Sequence, residues 1–182
     1  MMKAIIVEEY NPVWKDWFKE LKAQIWPIVS KYSISIEHVG STCVIGLAAK
    51  PKIDIDIVVQ DQEASAECIK ALKSIGYTHR GNLGIVGREA FSHERPKYKH
   101  SLYVCLKDSD ALKNHLTLRE HLKTHQADVK KYSEIKLELA KKYPHDIDSY
   151  VDGKTEFIVS ILEQYDFNSD SISSIREANL KK

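Results

Sequence analysis

Lys50-Pro51-Lys52-Ile53-Asp54-Ile55-Asp56-Ile57-Val58-Val59 decides the fold. Proline opposes helix at its start, and the residues that follow alternate apolar and acidic with the period of a strand. On a strand, Ile53, Ile55 and Ile57 share one face while Asp54 and Asp56 share the other. Two carboxylates held that close are unfavourable without a cation or a shared proton, so the pair invites a divalent metal, Mg²⁺ or Mn²⁺. Just upstream, Ser33 to Val39 alternates as another strand and delivers the chain to Gly40-Ser41. Ser41 to Leu47 has room for about two helical turns before Gly46 weakens them. A helix starting there turns its free N–H groups and positive dipole end toward whatever the aspartates hold, and phosphate is the natural ligand.

Outward from this centre, Lys3 to Val7 reads as a short strand or extended arm. Asn11-Pro12 then reads as an N-cap and first helical residue. Trp14, Trp17, Phe18, Leu21, Ile25 and Ile28 recur every three or four residues and make an apolar helix face, with both tryptophans expected in the core. Ala64 to Ile75 has helical spacing, stopped by Gly76. Ile85 to Phe91 and His100 to Leu106 read as a hairpin, which makes the sheet mixed. From about Asp108 onward the pattern is helical: Ala111 to Lys123, Ala127 to Tyr143, and Asp146 to Tyr165 with Gly153 weakening its middle. Past Phe167 the chain turns polar and predicts a mobile or loosely helical tail.

With 182 residues, 43% of them hydrophobic, the chain can bury a full core. Its 27 basic and 26 acidic residues leave a net charge of +1. That argues against a long nucleic acid and for a small-molecule substrate. No apolar run reaches the length of a membrane span or forms a signal peptide, so a cytoplasmic location is expected, with no membrane partner. Cys43, Cys68 and Cys105 are far apart and outside any C-x-x-C pattern, and read as reduced thiols.

The pattern of apolar residue, Gly, Ser, a spacer of twelve residues and Asp-apolar-Asp resembles the DNA polymerase beta-like nucleotidyltransferase fingerprint. In that superfamily the Gly-Ser loop holds a triphosphate and the aspartates bind magnesium. Glu37-His38-Val39-Gly40-Ser41-Thr42, Gly46-Leu47-Ala48-Ala49-Lys50-Pro51 and Asp54 are similar, more closely, to the GrpB family of predicted nucleotidyltransferases. The similarity continues through Pro12, Trp14, Arg119-Glu120-His121-Leu122, Tyr132, Lys136, Tyr150, Lys154, Phe157 and Ile158. Members of that family also occur fused to dephospho-coenzyme A kinase. Two departures stand out. Ile45 replaces the family's proline before Gly46, and Ser101-Leu102-Tyr103, preceded by His100, stands where the family has a His-apolar-His strand.

The resemblance implies an α+β fold, with a nucleotidyltransferase-like mixed β-sheet flanked by helices and a C-terminal helical extension. Residues 1–107 would form the α/β core with its N-terminal helix, residues 108–167 a helical part packed on it, and residues 168–182 the tail. It further implies transfer of a nucleoside monophosphate from Mg-NTP to a small-molecule acceptor. Asp54 and Asp56 would hold Mg²⁺. His38, Gly40, Ser41, Thr42 and Lys50 would bind the nucleotide, and Arg119, Lys136, Tyr150 and Lys154 would face the acceptor. Catalytic members generally place a third acid on a neighbouring strand, and His100 to Leu106 contains none. Glu89 is the candidate from the hairpin, and His100 the candidate base, with an unperturbed pKa near neutrality.

Blander readings compete at each point. Asp-x-Asp on a strand is often a solvated face, and Gly-Ser a common turn; only their combination at this spacing favours a nucleotide site. His121 and His125, four apart without the H-E-x-x-H glutamate, read as surface residues rather than a zinc site. A non-catalytic nucleotide- or metal-binding protein is the alternative to the enzyme. An RNA-associated protein using Lys130, Lys131, Lys136, Lys141 and Lys142 as a phosphate-facing stripe is a third reading, which the near-zero net charge disfavours.

Overall fold

The computed structural model describes residues 4–180. A five-stranded sheet has the order β1-β2-β5-β4-β3, where β1 is Ser35–Val39, β2 Ile53–Val59, β3 Tyr77–His79, β4 Arg88–His93 and β5 His100–Leu106. Only β2 and β5 run parallel; the other neighbours are antiparallel, giving the mixed sheet expected. Strand β3 has no counterpart in the sequence reading, and β4 starts three residues later than expected.

One face of the sheet is mainly apolar. Ile53, Ile55, Ile57 and Val59 of β2 pack with Ile36, Leu102 and Val104 against α1 (Val13–Val29) and α2 (Gln62–Ser74). Each buried isoleucine contributes about 2 kcal/mol of transfer free energy. Helix α1 supplies Trp14, Leu21 and Ile25 to this core, and Trp17 stacks on Tyr98 at its edge. The Asn11 side chain caps the helix by accepting from Val13 N–H at 3.1 Å.

The other face meets the C-terminal helices α3 (Asp110–Thr124), α4 (Gln126–Lys142) and α5 (Ile147–Leu162). These have their own core of Leu122, Val129, Tyr132, Phe157, Ile158 and Ile161, into which Val44 and Leu47 of the β1–β2 connection reach. Gly153 lets α4 approach α5, because a Cβ there would strike the Leu139 side chain. Where a mobile or loosely helical tail is expected, the chain forms α6 (Ser169–Leu180), and Ile172 and Ile175 are buried in the same helical core.

Lys3 lies outside the described residues. Residues 4–7 form no strand; an isolated antiparallel bridge joins Glu8 to Ala49, and Ile5 N–H donates to the Pro144 carbonyl at 2.8 Å. The arm thus ties the β1–β2 connection to the start of α5. Among the described residues no helix is long and apolar enough to cross a membrane.

Candidate functional site

Strand pairing assembles the site. Asp54 lies between Val39 of β1 and Ser101 of β5, and Asp56 between Glu37 and Tyr103. These six residues occupy the sheet face that looks toward the C-terminal helices. Asp54 is half-buried and Asp56 fully buried. Gly40 makes room for Asp54: its φ of 71° and ψ of −169° suit glycine alone, and a Cβ there would collide with the Asp54 carboxylate.

Between Ser41 and Leu47 the structure has one 3-10 turn, Ser41–Cys43, in place of the two helical turns expected. Thr42, Val44 and Ile45 are β-branched and Gly46 adopts φ 83°, which together disfavour continued helix. A single short turn has no useful macrodipole, so anion binding here depends on side chains. The connection is fixed from outside: Ala48 N–H donates to Ser133 Oγ of α4 at 3.0 Å.

A cavity of about 250 Å³ opens in front of Asp54, lined by Ser41, Thr42, Lys50, Lys52, Ser101, Tyr103, Lys136, Tyr150 and Lys154 among others. A second, of about 150 Å³, shares Ser41, Asp54 and Lys154 with it and adds Gly40, His115 and Arg119. The folded chain therefore gathers Ser41, Thr42, Lys50, Asp54, Lys136, Tyr150 and Lys154 around one space, with Gly40 and Arg119 next door. Tyr150 is the hub: its ring centroid is 5.2 Å from Lys50 Nζ and 5.3 Å from Lys154 Nζ. Burial pushes its phenol up to about 12, so the hydroxyl remains a donor at neutral pH.

Lys136 is the most unusual of these groups. It is 2% exposed, its Nζ finds no hydrogen-bond partner among the described residues, and it lies 4.5 Å from the Tyr132 ring centroid. Burial, reinforced by repulsion from Lys154 and Lys50, holds its pKa well below that of an ordinary lysine, although Asp54 opposes the shift. An unpaired polar group in such a place costs on the order of 1–3 kcal/mol, which an incoming anion would relieve.

His115 of α3, which no sequence pattern marked, places Nδ1 2.7 Å from Asp56 Oδ2. Burial opposes its charge, but Asp56 and Asp54 outweigh that and raise its pKa above the ordinary value. Lys52 is likewise on the cavity wall and was missed. Arg119 donates from Nη1 to Glu37 at 2.9 Å and to the His38 carbonyl at 3.1 Å, which ties α3 to β1 at the rim.

Other candidates lie elsewhere. His38 pairs across from Ile55, on the apolar face, where it stacks on Phe18 and bonds Thr42 Oγ1 at 3.0 Å. It supports Thr42 from behind the sheet and lines neither cavity. Glu89 is registered with Val104 and His100 with Ile53, which puts both on that same face, away from the aspartates. Glu89 is bonded to His79 at 2.6 Å, and His100 to Tyr77 and the Tyr98 carbonyl at 2.7 Å each. Neither can act on a ligand beside Asp54. His121, expected on the surface, is buried and held by Asp128 and Tyr165, while His125 is exposed and stacks on it. The α4 lysine stripe is not one surface, because Lys136 points into the cavity while Lys130, Lys131, Lys141 and Lys142 are exposed.

The donor set suits a particular kind of metal site. Among the described residues Asp56 Oδ1 is buried without a hydrogen-bond partner, and Asp54 stands two residues away on the same face. Among the described residues no three His, Cys, Asp or Glu side chains converge on a metal position. Ser101 and Tyr103 occupy the β5 positions beside the aspartates, where the family pattern has histidines, and Tyr103 is covered by Arg88 at 4.4 Å. Two carboxylates fit a Mg²⁺ that takes its remaining ligands from water and substrate phosphates.

Comparisons with known proteins agree with this architecture. The model of the GrpB protein family matches residues 4–164. The UPF0157 protein YqkA of Bacillus subtilis is 35% identical over 149 residues, 82% of this chain but only 43% of that protein's length. The glutamate-rich protein GrpB of Alkalihalophilus pseudofirmus is 30% identical over 165 residues, 88% of this chain and 95% of its own. The crystal structure of conserved protein GrpB from Enterococcus faecalis superposes with a TM-score of 0.78 at 30% identity, covering 92% of this chain and 98% of that one. The Cid1 poly(U) polymerase, in a structure with MgGTP bound, superposes at 0.52 with 13% identity over 73% of this chain and 44% of its own. That likeness establishes a nucleotidyltransferase-like fold, and the match along residues 4–164 establishes that the chain belongs to the GrpB family.

Proposed function

We propose that the protein is a metal-dependent nucleotidyltransferase, moving a nucleoside monophosphate from Mg-NTP to a small-molecule acceptor. The observation that carries this reading is one cavity that joins Ser41 and Asp54 to Lys50, Lys52, Lys136 and Lys154, with Lys136 buried and unpaired. Such a space selects a multiply charged anion. Ser41, Lys50, Lys52 and Lys154 would bind and orient the phosphates, and Tyr150 would keep Lys50 and Lys154 aimed at them. Asp54 and the unpaired Oδ1 of Asp56 would hold Mg²⁺, which when bound supplies charge neutralisation at the phosphates. His115 would fix the Asp56 carboxylate. The adjoining cavity at Arg119 would receive the acceptor.

A second reading, a non-catalytic nucleotide-binding protein of the same fold, is favoured by one specific feature: β5 offers Ser101 and Tyr103 where a third acid would stand. Thermal shift with each NTP and Mg²⁺, comparing the native chain with Asp54→Ala, tests what both readings share. Stabilisation of the native chain alone is expected; equal shifts in both, or none, would reject both. Pyrophosphate release with a panel of hydroxyl and amine acceptors then separates enzyme from binder.

A further inference from the structure

We propose that Lys136 is the first acceptor of the nucleotidyl group, forming a covalent phosphoramidate-linked nucleoside monophosphate that a second acceptor later removes. The inference rests on the nucleotidyl-transfer reading above and names its acceptor.

Three observations carry it. Lys136 lines the same cavity as Ser41 and Asp54, so its Nζ and a triphosphate held there share one space. That Nζ is buried and bonded to nothing among the described residues, so its lone pair is uncommitted. And among the described residues neither base expected from the sequence reaches the site: Ser101 and Tyr103 stand beside the aspartates, Glu89 and His100 lie behind the sheet, and His115 spends Nδ1 on Asp56. A hydroxyl acceptor needs such a base, whereas a neutral amine attacks without one. Burial and the neighbouring Lys50 and Lys154 favour the neutral amine, and the same two cations draw in the polyanion.

The chemistry balances within the complex. A bond forms from Nζ to the α-phosphorus while the bond from that phosphorus to the oxygen bridging the β-phosphate breaks. Its electron pair leaves on pyrophosphate, which also takes the proton Nζ gives up. In the second step an acceptor oxygen or nitrogen attacks the same phosphorus, and Nζ departs with the acceptor's proton.

The test needs no knowledge of the final acceptor. The full-length chain is incubated with Mg²⁺ and each of the four common NTPs, then followed by intact-mass and peptide mass spectrometry alongside thermal shift. The expected result is a gain of one nucleoside monophosphate less water, mapped to Lys136, discharged by mild acid and by excess pyrophosphate. Lys136→Arg, which stays charged and is a poor nucleophile, should keep the thermal shift and lose the adduct. A thermal shift without adduct, or an adduct on another residue, overturns the inference and leaves nucleotide binding standing. Neither shift nor adduct overturns both. Because the peptide map is made on the native chain, a variant that fails to fold does not weaken the result.

Discussion

Asp56 and His115, 59 residues apart in the chain, meet at 2.7 Å on the sheet face that carries the candidate site. The contact joins β2 to α3 and holds a carboxylate that is itself fully buried. Removing the imidazole would strand that charge, so His115→Ala should cost on the order of 3 kcal/mol in urea unfolding near pH 6. The pH dependence has a definite sign. Burial works against the charged imidazole, yet Asp56 and Asp54 raise its folded pKa above the ordinary 6.5. The pair's stabilisation is therefore complete below pH 6.5 and fades as pH climbs through the raised value. The gap between the native chain and His115→Gln should shrink between pH 6 and pH 9; a gap that widens would contradict the ion pair.

His38, on the opposite face, predicts the reverse trend. Burial, with Arg119 and Lys123 adding repulsion, lowers its pKa from 6.5 to about 4, so the folded state keeps it neutral. The unfolded chain binds the proton first. Stability from this group is present above pH 6.5 and is lost as pH falls toward 4, by at most about 2 kcal/mol for a partly exposed ring. His38→Gln should flatten the acid limb of the unfolding midpoint between those pH values, and an unchanged limb would count against the assignment.

These two histidines also show where sequence reasoning stops. The alternation of Ile53 to Ile57 with Asp54 and Asp56 fixed the strand and both of its faces, and the three- and four-residue spacing from Trp14 to Ile28 fixed α1, because both periods are local. The candidate site needed register. Whether Glu89 stands beside Asp54 or behind it depends on Glu89 pairing with Val104, a tertiary fact that shifts by one residue with the hairpin. His115 gave no signal because its partner lies on another element. Tyr77 to His79 is too short to display alternation, and Lys136 looked like its solvated neighbours on α4 because nothing in a helix pattern says which lysine is covered by α5. Arg119, Lys136, Tyr150 and Lys154 are raised by family resemblance, not by spacing.

Gly40 and Asp54 set a steric prediction. With φ 71° and no space for a Cβ against the Asp54 carboxylate, Gly40→Ala must strain the backbone or push the aspartate aside. A cost of about 2 kcal/mol is expected from the backbone alone. Displacement of Asp54 would in addition abolish the Mg-NTP thermal shift. Retention of that shift at native size in Gly40→Ala would mean that the backbone takes up the strain and Asp54 stays in place.

Ser101 offers a gain-of-function test. It is 8% exposed and registered directly beside Asp54 on the parallel strand β5, so an acid there would face the same cavity as the Asp54 side chain. A third carboxylate raises the charge and number of ligands available to a hard cation. Ser101→Asp should therefore bind Mn²⁺ roughly tenfold more tightly by calorimetry, on the scale by which ligand count tunes such sites. Without metal the same substitution should destabilise the chain, because a second carboxylate would then stand beside Asp54 in the cavity and repel it. Glu89→Gln is the matched control: its side chain lies behind the sheet on His79, so it should leave Mn²⁺ affinity unchanged. Should Ser101→Asp leave metal affinity unaltered as well, the aspartate pair would be a structural partner of His115, and the phosphate-binding half of the site would have to stand on its lysines alone.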